Sequence, residues 1–352
     1  MKFQIITPEE FTSYANQSKY SNFMQSTERD LLRRRMGYST HLVGVKEDDQ
    51  ILAVGLLVKK DHEAWLQNGP LLDWTNTDLI DFFLKNLLEF CKNHDIFEVE
   101  VYPPVLLSIR DDKGDVLQSF DQKELFRIFS ENGFHHMGFS EKLEFKALRW
   151  MFVKDLSSIH DMREAELSFN SSTRKKYHQT KRNLDIYVLQ DKSELKRWII
   201  PLQESNAKNH IKTRDLKYFE DFWDAFGDQA SFVEARLKET GETVSSELDI
   251  WHKNESVAFL AGTISSLKKY NGITAIKGWQ IEECLKRGQK RANFYGIDGI
   301  FTEDNNLLNA KKGFHGEVEE YIGGFKKTIH PVKYATHRIS GKIKRKLKME
   351  KK

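Results

Sequence analysis

The sequence predicts an α/β (α+β) protein built from two domains, on three observations. The chain has 352 residues, more than one hydrophobic core ordinarily serves. Short apolar runs alternate with longer stretches at helical spacing, the pattern of sheets covered by helices. That alternation begins a second time near Ser157.

The first pass opens with a strand over residues 3–6 and a helix that Pro8, Glu9 and Glu10 start. Residues 27–36 form a second helix, which carries Arg29, Arg33, Arg34 and Arg35. The apolar runs 41–45 and 51–58 flank an acidic turn and read as a hairpin. Leu79, Phe82, Phe83, Leu87, Leu88 and Cys91 recur at helical spacing within 78–94. Residues 97–101 are a strand stopped by Pro103 and Pro104, 125–132 a helix ended by Gly133, and 143–153 a strand through Trp150.

The second pass starts with helices at 162–167 and 171–182 and a strand at 184–189. A helix at 194–208 and strands at 232–237, 246–251 and 257–262 follow, and 275–287 is the last long helix, with Trp279 turned inward. Residues 292–295 make a strand, Gly296, Asp298 and Gly299 a turn, and 307–312 one or two helical turns that Gly313 and Gly316 break before an apolar run at 318–325. By pattern alone, Lys311 and Lys312 belong to a solvated surface turn.

Composition narrows the function classes. Hydrophobic residues make up 39% and charged residues 30%, no apolar run reaches 18 residues, and residues 1–10 lack the order of a signal peptide, so a cytoplasmic location is expected. Cys91 and Cys284 stand far apart, with no metal-ligand spacing around them, and read as reduced thiols. The net charge of +3 is uneven: eight basic residues against Glu350 alone after position 337 leave 47 basic and 51 acidic residues for 1–336. Ile339, Ile343 and Leu347 in that tail fit an amphipathic basic helix, a candidate contact for RNA or the inner face of a membrane. The densest basic cluster elsewhere is Thr173, Arg174, Lys175, Lys176, Lys181 and Arg182, with Tyr177 and His178 interleaved, a pattern that can follow a nucleic-acid backbone. The chain contains no P-loop, no GxSxG, no HExxH, no zinc spacing and no acetyl-CoA loop of the [Q/R]xxGx[G/A] type.

The run NFYGIDG at 293–299, followed by Lys311, Lys312, Gly313, Phe314, His315 and Gly316 and then by Glu320, Tyr321, Ile322 and Gly323, resembles the paired signature near the C-terminus of the FemABX peptidyltransferases. The resemblance implies two GNAT-like acyltransferase domains with a cleft between them. It also implies transfer of an amino acid from aminoacyl-tRNA to the stem peptide of a peptidoglycan precursor. Gln25 and Ser26 match the family's Gln-Ser; Arg29 stands where it has a tryptophan, and Arg33 where it has a phosphate-binding lysine. Arg214 and Tyr218 match the pair that holds the precursor diphosphate, and Lys212 replaces a nearby threonine. Lys311 matches the lysine proposed to sit at the reacting ester, where a cation stabilises the developing oxyanion. Tyr102 replaces a family aspartate, Ala258 and Phe259 stand where tyrosines are common, and Ala310 replaces a phenylalanine, whose desolvating role passes to Phe314, a candidate substrate contact, or to another neighbour. The short connection from Tyr218 to Phe232 leaves no room for the coiled-coil arm of many relatives.

The resemblance places a first domain at 1–147 plus 318–340, binding precursor, a second at 148–317, and a basic tail at 341–352. The final strand after Glu317 returns to the first domain. Residues 174–182 and the tail are available to tRNA, no cofactor or metal is called for, and the chain is expected to act as a monomer. The competing readings are an acyl-CoA N-acyltransferase on the same fold and a non-catalytic protein that binds RNA or a membrane surface.

Overall fold

Helix starts follow capping chemistry. Thr7 Oγ1 accepts from the Glu10 amide at 3.2 Å while Glu10 Oε2 accepts from the Thr7 amide at 3.0 Å, so the helix opened by Pro8 begins with two of its orphan donors satisfied. Ser26, Asn76, Asp161, Asn170 and Asp215 cap later helices through a side-chain oxygen that accepts the amide three residues on.

The computed structural model describes residues 1–144, 146 and 148–336. In chain order it contains β1 (Lys2–Ile5), α1 (Pro8–Gln17), α2 (Thr27–Arg35), β2 (Ser39–Glu47), β3 (Gln50–Lys60), β4 (Glu63–Leu66), β5 (Leu71–Leu72), α3 (Thr77–Asn93) and β6 (Glu98–Val101). There follow β7 (Leu106–Arg110), β8 (Val116–Ser119), α4 (Lys123–Glu131), β9 (His135–His136), β10 (Trp150–Asp155), α5 (Met162–Ser168), α6 (Ser171–Asn183) and β11 (Leu184–Val188). The remainder is α7 (Leu195–Lys208), α8 (Leu216–Phe226), β12 (Ala230–Leu237), β13 (Thr243–His252), β14 (Glu255–Thr263), α9 (Gly272–Lys286), β15 (Arg291–Gly296), α10 (Asn306–Lys311), β16 (Glu317–Tyr321) and β17 (Phe325–Thr328).

Two units divide the chain. Unit 1 comprises Met1–Val105, Asp121–Phe139 and the chain from Ile322. Its sheet runs β1-β2-β3-β4-β6-β17-β9, with β5 on β3, and β4 and β6 are its parallel pair. Unit 2 comprises Leu106–Phe120 and Ser140–Tyr321, and its sheet runs β11-β12-β13-β14-β15-β10-β16-β7-β8. Here the parallel pair is β14 and β15.

These borders differ from the division at 147 and 318. The hairpin β7–β8, hidden from sequence reading behind Pro103 and Pro104, pairs with β16 through Val318↔Arg110 and Glu319↔Ile109 and so joins unit 2. The run 318–325 is not one strand: β16 stays in unit 2 between β10 and β7, and only β17, beyond Gly323 and Gly324, pairs with β6 in unit 1. The strand expected at 143–153 starts at Trp150. The basic tail lies outside the described residues. Among the described residues, no helix is long and apolar enough to cross a membrane.

Unit 2 has helices on both faces of its sheet. Ser246 and Gly262 are register partners on the face where the Leu202 backbone of α7 lies so close that a Cβ at Gly262 would collide with it. Ser245 and Glu247 alternate to the other face, beneath α9. On that side Phe152, Phe169, Tyr177, Ile281, Phe294 and Phe314 form one buried cluster.

Candidate active site

The organising feature of unit 2 is an opening within its sheet. β14 and β15 pair in parallel only where Glu255–Val257 meets Arg291–Asn293; β14 then runs on to Thr263 and β15 to Gly296 without pairing to each other. A strand that leaves its neighbour leaves backbone groups needing partners. The Lys311 side chain supplies two: Nζ donates to the Gly296 carbonyl at 2.6 Å and the Tyr295 carbonyl at 3.2 Å. Lys311 is thus the last residue of a short helix with its ammonium in the mouth of the split, and not a residue of a solvated turn. Burial pushes that ammonium down to about 7; Lys277 adds to the push and Glu247 opposes it.

The loop carrying Lys311 is held from three sides. Asn305 caps α10 through its Oδ1 and donates to the carbonyls of Asp298 and Ile300. Lys154, 2% exposed on β10, donates to the carbonyls of Phe314 and His315 at 2.9 and 3.0 Å and to Ser168 Oγ at 2.7 Å. Burial draws its ammonium down to about 8. The Asn170 amide donates to the Gly313 carbonyl at 3.0 Å, and a Cβ on Gly313 would overlap Thr173. The N-terminus of the basic helix α6 therefore rests directly on the lysine loop. Phe314 departs from the substrate contact expected of it: at 1% exposure, with its ring centre 5.0 Å from that of Phe169 and 5.3 Å from that of Phe294, it belongs to the core.

On α6 itself Lys175, Lys176, Lys181 and Arg182 are exposed and Arg174 is half-buried. Lys175, His178, Gln179, Lys181 and Arg182 line an open depression of about 530 Å³. Lys181 pairs with Glu166 at 2.5 Å and lies over the Tyr177 ring, which removes part of the positive face. Gly278 of α9 allows Tyr177 to approach so closely that a Cβ there would overlap its ring.

Arg214 and Tyr218, the pair expected to hold the diphosphate, also lie in unit 2, at the start of α8. The exposed Arg214 guanidinium stands 4.2 Å from the centre of the Tyr218 ring, and exposed Lys212 precedes them. Tyr218 is 5% exposed, and its hydroxyl has no hydrogen-bond partner among the described residues. A run of ring contacts, Tyr218 to Phe222 to Phe259 to Tyr295, leads from this pair to the carbonyl that holds Lys311. Phe259, which replaces a tyrosine of the family, is one of its links.

Unit 1 holds Arg33. Its Nη2 donates to Gln67 Oε1 at 3.3 Å, Arg29 reaches the same oxygen at 3.4 Å, and the Arg33 guanidinium lies 5.2 Å from the Tyr38 ring centre. Two guanidinium groups thus converge on one amide oxygen, and one of them is the Arg29 that replaces tryptophan. Gln25 is structural: its Nε2 donates to the Gln67 carbonyl at 2.8 Å and its Oε1 accepts from the Leu56 amide at 2.7 Å. Tyr102, which replaces the family aspartate, donates to a carboxylate two residues earlier, Glu100 Oε2, at 2.6 Å.

Sequence reading missed Lys154 and a buried charged group beneath the split. Glu247 and Asp249 of β13 are fully buried, and Lys277 of α9 donates to Glu247 Oε1 at 2.8 Å. Period-2 alternation marks these acids as the polar face of a strand; only the helix above them buries that face.

The FemAB family profile matches residues 6–239 and 233–342. The chain belongs to the FemAB family. Aminoacyltransferase FemB of Staphylococcus epidermidis is 25% identical, over 99% of this chain and 100% of that protein. The alignment extends over 426 positions against 352 residues here, so that relative carries residues without a counterpart in this FemAB chain. The crystal structure of FemX superposes with a TM-score of 0.80 at 16% identity, over 96% of this chain and 99% of that one. A tandem GNAT protein from the clavulanic acid biosynthesis pathway gives a TM-score of 0.59 at 9% identity, over 93% and 98%. The FemAB chain thus has two GNAT-like domains, one on each sheet.

Proposed function

We propose that this FemAB protein is an aminoacyltransferase that moves an amino acid from aminoacyl-tRNA to the stem-peptide amino group of a peptidoglycan precursor. The observation that carries the reading is the Lys311 ammonium, desolvated in the mouth of the β14–β15 split, in a chain of this family. An amine attacking an ester pushes negative charge onto the carbonyl oxygen, and a desolvated cation stabilises that charge far better than water does. Lys311 is the proposed stabiliser. The proton lost by the amine passes to the ribose hydroxyl that leaves, so the ester C–O bond breaks as the amide C–N bond forms.

Arg33 in unit 1, and Arg214 with Tyr218 and Lys212 in unit 2, are the proposed phosphate contacts, each within its own unit. Guanidinium groups pair with phosphate oxygens through parallel hydrogen bonds, and the Tyr218 hydroxyl has a donor to give. The cations of α6, half-buried Arg174 and exposed Lys175, Lys176, Lys181 and Arg182, are proposed to take the tRNA backbone. Support comes from the seat of that helix on the lysine loop at Gly313. The basic tail is proposed as a further contact with RNA or with the inner membrane face, which a cytoplasmic enzyme would reach from within.

Labelled aminoacyl-tRNAs supplied with UDP-MurNAc-pentapeptide, or with the lipid-linked precursor, test the reading. Label on either precursor is the expected result. No transfer from any tRNA by folded protein, with label taken instead from acetyl-CoA, would replace it with an acyl-CoA N-acyltransferase.

A further inference from the structure

The charged group beneath the split has no part in the reaction as proposed, yet it lies against the strand that holds Lys311. Glu247 Oε1 accepts from Lys277 Nζ at 2.8 Å, and the same ammonium donates to Gln280 Oε1 at 3.3 Å. It stands 4.8 Å from the centre of the Phe294 ring. The next two residues of β15 are Tyr295 and Gly296, whose carbonyls hold Lys311. The two ammonium groups therefore attend consecutive residues of one strand. Asp249 is fully buried beside Glu247, and burial together with the Glu247 charge pushes its carboxyl well above the usual carboxylate range. Glu247 and Lys277 are opposite charges in hydrogen-bond contact, and the Lys311 ammonium adds a further cation along the same strand. Other cations of the loop are engaged elsewhere: Lys312 faces Glu303 at 3.7 Å, and Lys154 holds the carbonyls of Phe314 and His315.

We propose that Lys277 and Glu247 are positioning residues for Lys311: their buried ion pair, set against Phe294 beside the two carbonyls that hold the Lys311 ammonium, governs the charge that this ammonium carries. A desolvated cation is disfavoured until negative charge develops beside it, so its stabilising effect is concentrated in the transition state. That use in catalysis rests on the aminoacyltransferase reading, whereas the charge relation itself does not.

The test is competitive labelling of the full chain with trace acetic anhydride between pH 5 and 11, read at Lys311 by peptide mass spectrometry. Exposed Lys85 and Lys123 serve as internal references. Wild type should label at Lys311 with a midpoint well below the references. K277Q should raise the midpoint by about one pH unit, and E247Q/D249N, in which Asp249 cannot ionise in place of Glu247, should lower it by about as much. K277R keeps the charge and should leave the midpoint in place, which separates charge from packing. Unchanged midpoints in both folded charge variants would overturn the proposal, as would a K277R midpoint displaced as far as that of K277Q. In transfer assays the alkaline limb of the rate should move with the labelling midpoint. Midpoints that move as stated in a chain that transfers nothing would support the charge relation and count against the transferase reading.

Discussion

Replacing Lys311 with methionine preserves side-chain length and removes the charge, and the structure sets the size of both consequences. A fall of the ammonium from 10.5 to about 7 amounts to at most about 5 kcal/mol against the charged form in the folded chain, and less for a side chain that keeps some contact with solvent. Methionine escapes that cost and gives up hydrogen bonds to the carbonyls of Tyr295 and Gly296, about 1.5–3 kcal/mol each when charge-assisted. The two effects oppose, so K311M should unfold in urea near the wild-type midpoint at pH 6. Between about pH 7 and 10.5 the unfolded wild-type chain holds a proton that the folded chain has released, so wild-type stability rises with pH across that window and K311M falls behind. Catalysis should respond far more strongly. Loss of one fixed stabiliser of an oxyanion costs about 10²–10³ in kcat, and KM for either substrate should barely move. Single-turnover transfer of label at pH 6.5, beside urea unfolding at pH 6 and pH 9, measures both. A folded K311M that retains more than a tenth of the wild-type rate would refute the assignment, and so would a wild-type rate still rising through pH 9, where Lys311 is neutral.

Other substitutions probe the surrounding parts. R214A removes an exposed guanidinium, so it should leave stability unchanged and raise KM for the precursor about 10-fold or more, the loss of one charge-assisted contact; an unchanged KM would remove Arg214 from the site. K175Q/R182Q should weaken tRNA binding and flatten the dependence of log Kd on log salt by about 1.5, measured by filter binding. G278A places a Cβ into the Tyr177 ring and should destabilise the chain by about 1–3 kcal/mol in urea, because the gain in helix propensity is smaller than the overpacking. K154M frees the carbonyls of Phe314 and His315 and should speed amide exchange across 312–316 while lowering kcat, whereas a purely structural lysine would change stability alone.

Periodicity carried most of the fold. The amphipathic stretch around Leu79–Cys91 became α3, and the runs on either side of the 47–50 turn became β2 and β3. The hairpin β7–β8 escaped because its strands are short and partly exposed and follow two prolines, so that neither burial nor alternation marks it. Among the candidate residues, Lys311, Arg33, Arg214 and Tyr218 were legible as candidates through the family's motif spacing, Arg33 in unit 1 and the other three in unit 2. Lys154, Lys277, Glu247 and Asp249 were not, because a buried charge sits in sequence like any solvated one. Only tertiary cover distinguishes them: α9 over β13 for Lys277, Glu247 and Asp249, and the 313–315 turn with Ser168 for Lys154. Phe314 erred the other way: beside a functional lysine it looked like a substrate contact, and the single turn after α10 carries it into the core.

The passage of the chain through Ile322–Gly324 has a consequence for synthesis. The strand that covers the outer edge of β6 is β17, close to the end of the described chain, and the partner of the early hairpin β7–β8 is β16, some two hundred residues later. A nascent chain emerging from the ribosome therefore holds an unfinished sheet edge in unit 1 until β17 has been translated, more than two hundred residues after β6, and such edges invite mispairing. Neither unit corresponds to a continuous stretch of the gene, so cutting the reading frame between them yields two fragments that each lack a strand of their own sheet. The two halves of this enzyme are bound to be inherited, translated and folded together.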